Sequence, residues 1–121
     1  MRYLAFAIVL VLLSSGCTNV SDQDIALARK AIESGNPENC AKISDSVGKD
    51  LCFSMLASKN RDERLCARIS DEELIDGCYM SVAMMKQDAA VCAKIRDEQA
   101  SKECAESVKG MGKEVVKGLL E

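Results

Sequence analysis

Hydrophobic and polar positions change rhythm twice along this chain. From Tyr3 to Leu13 the residues are uninterruptedly apolar or aromatic, with Arg2 before them and the small residues Ser14, Ser15 and Gly16 after. That run is too short for a bilayer, which takes roughly 20 apolar residues in a helix. A positive start, a short apolar middle and a small-residue end make an export signal, assigned to residues 1–16. A polar stretch follows, Thr18 to Gln23 (TNVSDQ), read with residue 17 as a tether, residues 17–23. From residue 24 apolar positions recur at helical spacing. Leu74, Cys78, Val82 and Met85 fall on one stripe with Ile75 and Tyr79 beside it, the mark of a helix with one buried face.

The second rhythm is a repeat. Cysteines stand at 40, 52, 66, 78, 92 and 104, separated by 12, 14, 12, 14 and 12 residues, a period of 26. Three units result, 36–61, 62–87 and 88–113, each carrying Cys-Ala-Lys/Arg-Ile-x-Asp and then a second Cys. A unit of this length holds two short helices. Asn36 before Pro37 caps the first, with Asp62 and Asp88 at the same position later. This first helix is expected to run to about Ile43, Ile69 and Ile95. Asp45, Asp71 and Asp97 then fall where a second cap is needed, and Ser70 with Glu73 suggests a capping box. Ala41, Ala67 and Ala93 are small enough to let the paired helices approach.

The flanks continue the pattern. Ile25 to Gly35 matches the second helix of a unit with Ala26 in place of Cys, ended by Gly35 as a left-handed cap. Glu114 to Glu121 would open a fourth unit. The expected fold is all-α: a small α-solenoid of three 26-residue helical hairpins, residues 24–121, with terminal capping helices. The general plan resembles a shortened tetratricopeptide array, although the period is 26 and that family's motifs are absent.

Six cysteines allow 15 connectivities. Pairing inside each unit, Cys40–Cys52, Cys66–Cys78 and Cys92–Cys104, uses every cysteine and makes the units alike. Pairing between units strands Cys40 and Cys104. On an antiparallel hairpin the two cysteines of a unit also lie at similar heights, given about 1.5 Å of rise per residue. Thin layers of short helices bury little apolar area, so the bridges are expected to stand in for core. A zinc site would place ligands two to four residues apart, and no two of these cysteines are closer than 12. No metal and no cofactor is assigned. Met80, Met84 and Met85 are read as core fillers rather than a copper stripe.

Composition narrows the chemistry. Net charge is −3, and removing residues 1–16 takes away Arg2 and no acid, leaving −4. With no basic cluster, a nucleic-acid surface is excluded. Histidine is absent, which removes Ser-His and Cys-His catalysis. Gly110-Met111-Gly112-Lys113 is too short for a phosphate loop and lacks the strand before it. No catalytic constellation emerges.

Leu13-Ser14-Ser15-Gly16-Cys17 resembles the prokaryotic lipobox, with Ser14 where Leu is commonest. The resemblance implies cleavage before Cys17 and a lipid on its thiol, hence an exported protein held to the membrane by that lipid. An ordinary secretory signal cut nearby is the other reading, and under both the body matures where disulfides persist. Lys42, Arg68 and Lys94 recur at 26, as do Asp45, Asp71 and Asp97. They are expected as helix-end charges and caps, or as two rows on a binding surface. The amphipathic, Lys-bearing tail Val108 to Leu120 is read as a capping helix. These features point to a non-catalytic, lipid-anchored repeat protein of the cell envelope with a protein partner or a structural role. The alternative is a metal- or redox-handling thiol protein.

Overall fold

The computed structural model describes residues 20–120, and these are helical, with no strand among them. The export segment and Cys17 lie outside the described residues. Four long helices dominate: α1 (Asp22–Ser34), α3 (Ser46–Asn60), α4 (Glu72–Lys86) and α5 (Glu98–Leu120). Between them run short returns. The first is a five-residue helix, α2 (Pro37–Ala41), and the other two are 3₁₀ turns, Glu63–Arg68 and Val91–Lys94. The first helix of each unit is therefore shorter than its sequence suggests. Four to six residues form too few hydrogen bonds to offset helix nucleation. Each return ends before the isoleucine, whose N–H bonds back three residues to the cysteine carbonyl: Ile43 to Cys40, Ile69 to Cys66, Ile95 to Cys92. That turn points all three isoleucines into the core, where they are buried.

The helix ends are set by short-range chemistry. Asn36 accepts from the Glu38 N–H and Asp62 from that of Arg64. Asp45 accepts from Gly48, Asp71 from Glu73 and Leu74, and Asp97 from Ala100. Gly35 ends α1 at φ 71°, and the same repeat position is left-handed in the next units, at Arg61 (φ 54°) and Gln87 (φ 55°). After Arg61 and Gln87 the following N–H reaches back to Ala57 and Ala83, closing a Schellman motif.

The core is a set of rows at the repeat period. All six cysteines are buried, joined within units as Cys40–Cys52, Cys66–Cys78 and Cys92–Cys104 with Cα separations of 5.5, 5.6 and 5.7 Å, the ordinary range for an unforced bridge. Leu56, Val82 and Val108 form a second buried row, and Ala31, Ala57 and Ala83 a third. This alanine row supplies the small contact surface expected of Ala41, Ala67 and Ala93. Ala67 and Ala93 are instead exposed, because a one-turn return turns their side chains outward. Met85 likewise stands outside the buried stripe of α4, whereas Met80 and Met84 pack against the core.

Two boundaries differ from expectation. The helical body begins at the Ser21 cap rather than at residue 24. At the other end α5 runs unbroken to Leu120, so Glu114 opens no fourth unit. Position 113 is where a left-handed residue would be needed, and Lys113 continues the helix instead. The tail is not a cap along its whole length. Val108 is buried, but residues 109–113, which go more than once around the helix, are all exposed.

Candidate functional site

The units are joined by a row of aspartates. Asp24 in α1 accepts hydrogen bonds from the backbone N–H groups of Ser44 (2.9 Å) and Asp45 (3.2 Å). One period on, Asp50 in α3 accepts from the N–H of Ser70 (3.0 Å), the Ser70 hydroxyl (2.7 Å) and the N–H of Asp71 (3.0 Å). Asp76 in α4 accepts from the Arg96 N–H at 3.2 Å and faces its guanidinium. Each carboxylate sits near the start of one long helix and binds the start of the next. The long helices therefore run side by side in the same direction, and each charge lies at the positive end of its neighbour. Ser70 is committed to Asp50, so it caps nothing: Asp71 is the cap and the Ser70–Glu73 box does not form.

The first two carboxylates of the row are held ionised. For Asp24 the Ser44 N–H is the largest influence and, with the Asp45 N–H and the serine hydroxyls, lowers the pKa against the opposing effect of burial. For Asp50 burial is the largest single influence and acts to raise the pKa. The combined bonds from Ser70 and Asp71 outweigh it, and the net shift is downward. The row had a readable signal: Asp24, Asp50 and Asp76 each lie two residues before the Ala26, Cys52 or Cys78 position.

The charged rows named from the sequence divide. Asp45, Asp71 and Asp97 spend their oxygens on helix N-termini. Arg68 lies over the Phe53 ring at 4.5 Å and pairs with Glu38 at 3.0 Å. Lys94 lies over Tyr79 at 5.8 Å and faces Glu63 at 3.7 Å. Phe53 and Tyr79 are one period apart, so each cation of one unit covers the aromatic ring of the unit before it, a contact worth about 0.5–1 kcal/mol at an exposed site. Lys42 is exposed at the head of this row.

Beside the junction of the first two units lies a polar cleft of about 390 Å³, lined by Asn60, Arg61, Asp62, Glu63, Arg64 and Lys86. Four of its charges are paired in place. Arg64 grips Asp62 through two bonds of 2.8 Å, and Lys86 reaches Glu63 at 2.5 Å. The Arg64 hydrogen bond pulls the Asp62 pKa down, and the Lys86 hydrogen bond does the same to Glu63. Neither carboxyl is a proton donor near neutral pH. Among the described residues no three thiol or carboxylate groups converge on one point.

An apolar groove of about 580 Å³ runs between α1 and α3. Val20, Ile25, Leu51 and Met55 line it and are exposed, Met55 by 60 %. No helix among the described residues is long and apolar enough to cross a membrane. Compared with known protein families, curated proteins and solved structures, the chain matches none.

Proposed function

We propose that this is an extracytoplasmic, lipid-anchored repeat protein that displays a non-catalytic surface to a protein partner in the cell envelope. The observation that carries the reading is the placement of the six body cysteines. All are paired within units and buried in the core, so their thiols are committed to structure. Such bridges persist in oxidising compartments outside the cytoplasm. The Gly16-Cys17 step then supplies an anchoring point just ahead of a folded body. Two or more acyl chains hold a protein stably where one does not. The row headed by Lys42, with Arg68 and Lys94 behind it, is the face offered to the partner, since solenoids present repeated side chains along one side.

The test begins with intact mass after export in a bacterial host. The expected mass shows three disulfides and lipid on Cys17, with peptides mapping to the three intra-unit pairs. Free thiols with a bound metal would overturn this reading in favour of thiol chemistry. A photo-crosslinking residue at position 42 should then give a discrete protein adduct in the intact envelope. No adduct from a correctly lipidated and oxidised protein would remove the binding role.

A further inference from the structure

The apolar groove is confined to the end of the stack nearest Cys17. Ile25 and Leu51 occupy one repeat position, where the later units carry Gly77 and Glu103. Val47, exposed by 60 %, is followed by Glu73 and Gln99. Met55 is followed by Ser81 and Ser107. At these three positions α3 is apolar where α4 and α5 carry Gly, Ser, Glu or Gln, although Met85 and Met111 stand exposed at the repeat position of the groove residue Glu33. Core packing does not account for this, because these side chains are exposed. The distance to the anchor does. Val20 lines the groove, and only three residue steps separate it from Cys17. A fully extended chain spans at most about 3.6 Å per residue, so Cys17 lies within roughly 11 Å of Val20. A lipid on Cys17 would hold the Val20 end of this groove close to the bilayer surface.

We infer that the groove formed by Val20, Ile25, Ala28, Ile32, Leu51 and Met55 seats on the hydrophobic boundary of the anchoring membrane and fixes the orientation of the stack. The inference rests on the lipid anchor proposed above. Arg29 and Glu33 also line the groove and are long enough to keep their charges in water while the apolar side chains dip. The mature body is net negative, so the contact depends on apolar burial rather than on attraction to anionic lipid. In this seating α4 and α5 are directed away from the bilayer, leaving Arg68 and Lys94 accessible.

The protein has no Trp, so a single introduced Trp is a unique reporter. Met55→Trp, Leu51→Trp and the repeat-equivalent control Ser107→Trp are exported, purified as the mature full chain and placed in phosphatidylcholine vesicles with brominated acyl chains. Intact mass first establishes the lipid on Cys17 and the three disulfides. With these present, the Met55→Trp and Leu51→Trp variants should shift to the blue and lose most of their emission, unaffected by salt. The Ser107→Trp variant should stay bright. If the two groove variants stay bright while lipidated, the seating is overturned and the anchor still stands. A blue-shifted but unquenched Met55→Trp variant also overturns it, showing a protein cover such as a second copy. Absence of lipid on Cys17 removes the anchor and the seating together.

Discussion

Asp50 is nearly removed from solvent, at 4 % exposure, yet carries its charge because three donors from the next unit converge on it. Asp50→Asn keeps the shape but sets an amide N–H₂ against N–H and O–H donors. Hydrogen bonds to a charged group are worth about 1.5–3 kcal/mol, and a loss of that order is expected at pH 7. The pH dependence follows from the lowered pKa. A carboxyl with a depressed folded pKa stabilises the fold fully above the unfolded value, near 3.9. That contribution fades as pH falls through the folded value. Unfolding midpoints measured from pH 7 downward should therefore converge for wild type and Asp50→Asn in acid. A gap independent of pH would assign the effect to packing instead. Arg61 and Gln87 hold left-handed backbone without being glycine. Arg61→Gly should gain about 0.5–1 kcal/mol by relieving that strain, read as a higher denaturation midpoint. The sequence marked position 35 as a left-handed cap because Gly stands there. At 61 and 87 the same conformation is imposed by the Schellman hydrogen bonds and by the repeat itself, which no local residue preference reveals.

At the scale of elements, the disulfide is what makes a short return hold. The 3₁₀ turn Glu63–Arg68 has little helical stability of its own, and Cys66–Cys78 ties it to α4. Loop-closure entropy for so small a ring comes to about 3 kcal/mol. Replacing Cys66 and Cys78 together with Ala should cost about that much in chemical denaturation, and a negligible change would show the return held by packing alone. The cysteine spacing made the pairing legible, since only one connectivity treats the units alike. The shortness of the returns was not legible, because caps and periodicity locate where a helix starts better than whether it propagates. The last helix shows the same limit. Its amphipathic pattern suggested a cap, but residues 109–113 contact nothing that buries them. Lys113 and residues 117–120 are exposed as well, so ending the chain after Gly112 should shift stability by no more than about 0.5 kcal/mol. A larger loss on thermal unfolding would mean that the far end of α5 docks on the body.

The whole molecule is a quasi-one-dimensional stack, and its cooperativity depends on the joints between neighbouring units. Asp24, Asp50 and Asp76 sit at successive joints, so equivalent substitutions should have unequal consequences. Asp24 fastens only the terminal helix α1 to the rest. Asp24→Asn should let α1 fray while the bridged units stay closed, so amides of residues 22–34 exchange faster and those of α4 keep their protection. Asp50 lies at the internal joint, where α3 meets the start of α4. The polar contacts that remain there are Arg68 on Phe53, its pair with Glu38, and the bond between the Ser58 and Ser81 hydroxyls, beside the buried packing of Leu56 and Ala57 with Val82 and Ala83 in the shared core. The polar ones are surface or edge contacts, each worth about 1 kcal/mol or less. The Asp50 bonds cross the joint and tie nothing within a unit, so Asp50→Asn weakens the coupling between units more than the units themselves. It should broaden the unfolding transition and separate protection into two blocks, residues 22–60 and residues 72–108. Hydrogen exchange on the oxidised protein reads both results in one experiment. If both variants raise exchange uniformly, the stack unfolds as a single unit, and the aspartate row adds stability without dividing the molecule into segments.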